Sequence, residues 1–557
     1  MSYSFNRRDV LRTAALGVWA MAPVLRSPAA WAQTPQGLLR GPEPDADALV
    51  VVAQKAVAAA RAAGAAQADV RVLHGSRLSW APPPNVTVSS AAHRPGGADI
   101  GQPMIGTFMR MGIRAWVGGR MGFAGNLLPV SDAETVALAR MAVERARAWP
   151  GAAAEIAPAP VVTNGRWESP VRVDPFTVPI REQEQLLLDV VQDVLKTPVE
   201  RGQVIALINV AFTRTLEIFV SSEGAEIRQR FHTAEDQSAA VSVPGNDRSD
   251  MFVLRTPGFA GAYGYEVFDD LRSRMARKIE TLHEMRKTPG RPVDIGRHEI
   301  VLSANAAAQL LGPTIADPLQ LDRALGRSSV KKGHYGSYAV PPEEALGTFR
   351  LGSELLNVRA DRTRAGLTGT CGWDSEGVAA REFDLVRGGV VADYLTDRAT
   401  APALRTAYER MGREVRSNAC SADTGGRVPV IKSPNLALLP EAEERSEDDL
   451  IGDVKRGYYI DFLVPGPDHA GLNVQADAAH IRQIVDGRKG DFVYGAALQF
   501  NTPQFWRELD AVGGPGSVET FGRVIDDPGI EMLSQTGVSA PPVHLRRVNV
   551  VNTKKRG

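Results

Sequence analysis

Two cysteines in 557 residues, Cys371 and Cys420, are too few for a disulfide framework. They do not stand in a Cys-x-x-Cys arrangement, so they are read as structural thiols, either free or bonded to each other. Charge of one sign is also missing. Sixty-four Lys and Arg balance 64 Asp and Glu, which removes the bulk electrostatic case for a nucleic-acid or anionic-membrane partner. The nine histidines (His74, His93, His232, His283, His298, His334, His469, His480 and His544) never fall within five positions of one another, so no local two-histidine zinc motif exists. There is no Gly-x-Ser-x-Gly elbow and no Gly-x-x-x-x-Gly-Lys-Ser/Thr loop, which argues against a serine esterase and a nucleoside-triphosphate site. Heptads and long low-complexity tracts are absent as well.

What is present is ordinary globular material, 44% hydrophobic and 23% charged, with length enough for two to four domains. The N-terminus reads as an address. Arg7 and Arg8 precede an apolar run from Thr13 to Leu25, and Ala30-Trp31-Ala32 then offers a small-x-small cleavage site before Gln33. That run is shorter than the roughly 20 residues a membrane-spanning helix needs. The expectation is a twin-arginine export signal over residues 1–32, a periplasmic mature chain beginning at Gln33, and no membrane span after cleavage.

Periodicity then sets out the elements. Asp45 to Ala63 has helical spacing and Gly64 stops it, while Val70 and Val72 alternate as in a strand. Two short strands flank Gly118-Gly119, which predicts a tight hairpin. Ser131-Asp132-Ala133-Glu134 is a capping box opening a helix to about Ala148. Further helices are expected from about Pro179 to Lys196 and from Tyr265 to Lys287. Pro289-Gly290-Arg291-Pro292 marks the preferred boundary between domains 33–290 and 291–557. Beyond it, His298–Leu302 suits a strand, Ala304–Leu311 a helix, and Tyr458–Val464, Phe492–Phe500 and Val543–Val551 suit strands. The predicted class is α+β: an N-terminal α/β domain with helices and hairpins, and a C-terminal domain of mainly antiparallel sheet.

The segment Leu310-Leu311-Gly312-Pro313-Thr314-Ile315-Ala316-Asp317-Pro318-Leu319-Gln320-Leu321-Asp322, continuing to Ser328-Ser329, resembles the active-site helix of the TldD/PmbA (modulator of DNA gyrase) metallopeptidases. Gly112-Ile113-Arg114 through Gly122-Phe123-Ala124, Asp174-Pro175-Phe176, Ser222-Glu223-Gly224-Ala225 and the turn Asp374-Ser375-Glu376-Gly377 are similar to further family features. The resemblance implies a zinc held by a His-Glu-x-x-x-His helix and a cysteine near the C-terminus. Here Gly312 and Asp317 stand at the histidine positions and Pro313 at the glutamate. The nearest C-terminal turn, Asp527-Pro528-Gly529-Ile530, has no cysteine. Imidazole ligands and a general base are what such chemistry needs, so no zinc and no catalytic residue is expected in this chain. Pro313 and Pro318 also predict an interrupted helix.

Other candidates are few. His334 and Tyr335, after Lys331-Lys332-Gly333, are candidate peptide contacts. Asp374 and Glu376 lie two apart and would point the same way in an extended segment, where paired carboxylates can do acid–base work or hold a cation. The family likeness instead implies a structural turn formed with Gly377. The resemblance further implies a two-subunit assembly that takes extended peptides by strand addition. Three readings follow: a non-catalytic partner of a separately encoded metal-bearing TldD-like homologue, a stand-alone peptide-binding homodimer, or a peptidase with a relocated site around Asp317, Asp322 and His334.

Overall fold

The computed structural model describes residues 44–81, 98–99, 102–127, 131–196, 203–236, 238–243, 252–254, 259–287, 291–327, 338, 340–422, 428–468, 470–527 and 532–553. Arg7 and Arg8, His334 and Tyr335, and Pro528 to Ile530 lie outside the described residues.

The N-terminal half is a seven-stranded sheet with helices against it. Helix α1 (Ala46–Ala62) starts at Asp45, whose carboxylate accepts from the Asp47 N–H, and buries Leu49, Ala53 and Ala56. Strands β1 (Gln67–Ala81), β2 (Gln102–Val117) and β3 (Arg120–Leu127) are antiparallel neighbours. Gly118 (φ 56°) and Gly119 (φ 72°) make the predicted β2–β3 turn, where both central residues need positive φ. Helix α2 (Asp132–Ala148) opens with the full Ser131–Glu134 capping box. Helix α3 (Ile180–Leu195), β4 (Val210–Ser221), β5 (Glu226–Asp236), α4 (Leu271–Lys287) and a separate four-stranded sheet also belong to this half.

Alternation divides the sheet. Val70, Val72, Met111 and Ile113 pack beneath α1 and α2, while Leu78, Trp80 and Phe212 pack with Leu187 and Val190 of α3 and Leu271 and Met275 of α4. The intervening positions Asp69, Arg71, Arg114, Glu217 and Gln229 are polar yet buried. They form the face on which the C-terminal half sits.

The C-terminal half contains a closed barrel. Strands β6 (Gly296–Leu302), β7 (Arg456–Pro467), β8 (Asn473–Val485), β9 (Ala496–Asn501) and β10 (Val543–Asn552) pair in the ring β6-β7-β8-β9-β10 and back to β6. Only β6–β7 is parallel. The segment predicted from Phe492 to Phe500 is two strands, because Gly495 (φ 74°) breaks it. A separate six-stranded sheet includes Val358–Asp361, Glu382–Arg387, Asn435–Leu438 and Met532–Ala540. Helix α5 (Ala304–Leu311) is buried along its whole length within the large core that joins barrel and sheet. The four longest helices lie in the N-terminal half, so the α+β class and its uneven distribution of helix are as expected.

Candidate functional site

The altered segment begins on α5. Ser303 caps it by accepting from the Ala306 N–H. Its polar face then continues the β6–β7 ladder with side chains. Ser303 Oγ and Asn305 Nδ2 donate to the Asp461 carbonyl, and Gln309 Oε1 accepts from the Leu463 N–H at 2.8 Å. The helix is thereby fixed to β7 before the segment of interest begins.

The predicted interruption occurs at Pro318, where the helical run ends in a turn over 317–319 and extended Gln320 (ψ 120°) precedes a new short helix at Leu321, but not at Pro313. The chain passes from α5 into a π-helical turn over Gly312–Ala316, closed by the Asp317 N–H donating to the Gly312 carbonyl at 2.8 Å. A π turn spans five residues and uses a different set of carbonyls, so a proline at its second position is accommodated. Packing holds the turn. Thr314 Oγ1 donates back to the Leu310 carbonyl at 2.6 Å and accepts from Trp506 Nε1 at 3.1 Å, and the Tyr338 hydroxyl donates to the Thr314 carbonyl. Thr314 and Trp506 are completely buried.

Gly312 and Asp317, five apart, are therefore joined by the main-chain bond that defines the turn. In an α-helix, residues five apart diverge by about 140°, whereas a π turn brings them toward one side. Gly312 and Asp317, which the sequence resemblance sets at the histidine positions, thus share a face, but neither is an imidazole. Gly312 is buried, has helical φ, and a Cβ there would meet no atom within 4 Å. Pro313 contributes no donor atom. The Asp317 carboxylate lies 3.8 Å from the Arg323 guanidinium and accepts from Gln320 Nε2 at 3.3 Å. Among the described residues no group of three or more His, Cys, Asp or Glu side chains is placed to hold a metal ion.

The turn containing Asp374 and Glu376 lies where the two halves meet. The two carboxylates do not point the same way, because the segment is a tight turn and not extended. Asp374 turns inward, accepting from the Glu376 and Val378 N–H groups at 2.9 Å each and from the Ser421 N–H at 3.2 Å. Glu376 reaches outward to Arg114 Nη1 of β2 at 2.6 Å and to the Arg398 N–H at 2.8 Å. Arg114 also grips Asp69, and Arg71 donates to the Ser375 carbonyl. Gly377 (φ 76°) is required twice over, since a Cβ would stand 2.7 Å from the Phe219 ring.

Burial and the Glu376 charge push the Asp374 carboxyl up to about 6, and the same two causes push Asp397 up to about 7. Two partners of this turn carried no sequence signal. Arg398 forms a bidentate pair with Glu223 and donates to the Ala157 carbonyl, and Gln229 binds the Gly372 and Trp373 N–H groups. Cys371 and Cys420 are free thiols, both buried, with Arg362 donating to Cys371 Sγ at 3.4 Å.

Residues 295–552 match the family model described as the PmbA/TldA metallopeptidase C-terminal domain. Residues 295–552 are a PmbA/TldD-family C-terminal domain. Curated relatives agree. A metalloprotease of Methanothermobacter thermautotrophicus is 25% identical over 342 residues, covering 61% of this chain and 68% of the relative. A metalloprotease of Archaeoglobus fulgidus is 23% identical over 395 residues, covering 69% and 81%. Among solved structures, TldE from Thermococcus kodakarensis superposes with a TM-score of 0.63 at 15% identity, covering 90% of this chain and 99% of that one. A modulator-of-DNA-gyrase protein from Bacteroides thetaiotaomicron gives 0.63 at 14% identity, covering 91% and 99%. At such identities these structures establish the shared fold. The Gly312–Asp317 turn lies within the span matched to the metallopeptidase C-terminal domain.

Proposed function

We propose that this chain is an exported, non-catalytic PmbA/TldD-family subunit that holds extended peptides and completes a heteromeric peptidase with a separately encoded metal-bearing homologue. The carrying observation is the π turn. It is closed and packed, with its two outer positions on one side, yet those positions present a glycine and a carboxylate already paired with Arg323. The residues present do not fit a zinc ion: Gly312 and Pro313 offer no ligand atom, and no imidazole or thiolate completes a set around Asp317 among the described residues. A water-activating base is likewise missing at Pro313. Peptide holding needs no metal, since main-chain pairing and side-chain pockets suffice.

The test is elemental analysis of the purified full chain together with a peptidase assay, alone and after mixing with the metal-bearing homologue. The expected result is far less than one zinc per chain, no cleavage alone, and a stable complex that cleaves. Stoichiometric zinc with proteolysis by the isolated chain would overturn the proposal.

A further inference from the structure

The barrel is closed but not evenly. Pairing between β9 and β10 runs from Ala496↔Asn552 to Leu498↔Val550 and ends there. The next residues, Gln499 and Asn549, both line a cavity of about 830 Å³, with helix Thr502–Arg507 supplying Gln504 to its lining. Beyond this parting, β9 keeps its pairing to β8 through Asn473↔Asn501, and β10 keeps its pairing to β6 through Arg297↔Asn549. Over Gln499–Asn501 and Arg547–Asn549 the parted edges are therefore main chain outside the β9–β10 ladder, before Arg546 N–H donates to the Glu508 carbonyl, and they are flanked by side chains that can both give and accept hydrogen bonds.

Those side chains are available. Among the described residues, the carboxamides of Gln499, Gln504 and Asn549 have no hydrogen-bond partner, and exposed Arg297 has neither a hydrogen bond nor an ion pair. The second guanidinium on the wall is committed: Arg547 makes two bonds to Glu508, at 3.1 and 3.2 Å. The cavity thus presents the Arg297 guanidinium, the Asp468 carboxylate already bonded to Leu472 and Asn473, several free carboxamides and two strand edges outside the β9–β10 ladder, at a size typical of ligand sites. Carboxamides carry a donor and an acceptor on one group, which matches the peptide unit. A free guanidinium matches a carboxylate in two-bond geometry.

We infer that this slot takes the carboxy-terminal segment of an extended peptide, with its main chain between β9 and β10 and its terminal carboxylate on Arg297. The inference rests on the peptide-holding reading and adds to it where the peptide lies and which end is recognised.

The probe is a fluorescein-labelled hexapeptide of alternating Val and Thr, prepared as the free acid and as the C-terminal amide, titrated by fluorescence anisotropy against the full chain. The free acid is expected to bind about tenfold more tightly than the amide, the scale of one charge-assisted contact. Arg297→Gln should abolish that preference and leave amide binding unchanged, and the double variant Gln499→Ala/Gln504→Ala should weaken both probes. Arg297 is exposed and unpartnered, so its variant should match the wild-type melting temperature. Equal binding of acid and amide, or a preference that survives Arg297→Gln, overturns the slot assignment and leaves peptide holding intact. Binding of neither probe overturns both.

Discussion

Arg114 and Glu376 stand 2.6 Å apart at the join between the two halves, and each side chain is almost fully buried. Arg114 comes from strand β2 and Glu376 from a turn 262 residues later. Burial opposes the charge on Arg114, but Asp69 and Glu376 together outweigh it and raise its pKa.

Breaking this pair from one side should be severe. Arg114→Ala strands Asp69 and Glu376 in the interior, and the expected loss is about 3–5 kcal/mol in urea unfolding. Glu376→Gln should cost less, because an amide still accepts from Arg114 and Arg398. Equal midpoints for wild type and Arg114→Ala would contradict the role assigned to the join.

Asp397 should make stability depend on pH in an unusual direction. Burial and Glu376 hold its folded pKa up at about 7, against roughly 3.9 in the unfolded chain. The folded state therefore binds the extra proton, and the stabilisation is fully present below about pH 4 and is lost as pH rises through about 7. Melting curves from pH 5 to 8 should show wild type falling relative to Asp397→Asn. A difference between the two that stays constant over that range would refute the assignment.

Two glycines offer opposite outcomes for the same substitution. Gly312→Ala places a methyl into open space at helical φ and should leave stability unchanged or raise it by about 0.5–1 kcal/mol. Gly377→Ala combines positive φ with a contact 2.7 Å from the Phe219 ring, so a loss of more than 1 kcal/mol is expected. Calorimetry of both variants checks the pair. Loss at Gly312 comparable to that at Gly377 would mean that the space beside Gly312 is filled.

Export should depend on the paired arginines. In a bacterial host, wild-type chain is expected in the periplasmic fraction with Gln33 at its N-terminus, while Arg7→Lys/Arg8→Lys should remain cytoplasmic and unprocessed. Fractionation with N-terminal sequencing decides it, and identical distribution of the two would refute the signal.

Local features were legible where one residue type forces one conformation. Gly118-Gly119 dictates the hairpin, Ser131 with Glu134 opens α2, and alternation followed by Ser303 separates the 298–302 strand from α5. The identities at Gly312, Pro313 and Asp317 were also plain. Their geometry was not, because Pro313 signals a break in an α-helix and says nothing about a five-residue turn held by Thr314, Tyr338 and Trp506. Those last two lie 24 and 192 residues from Thr314. Barrel closure and the Arg398–Glu223 pair were illegible for the same reason: they are contacts between distant segments with no local pattern.

The π turn also acts as a phase shift. One residue more than an α turn requires advances the chain that leaves the turn by about 100°. Leu310 and Leu311 before it, and Leu319 and Leu321 after it, are all fully buried in one core. Deleting Ile315 would shorten the path between the two leucine pairs by one residue and redirect the chain where it leaves the turn, before extended Gln320. The turn's spacing is thus written into how the scaffold threads its leucines, independently of what its outer positions carry.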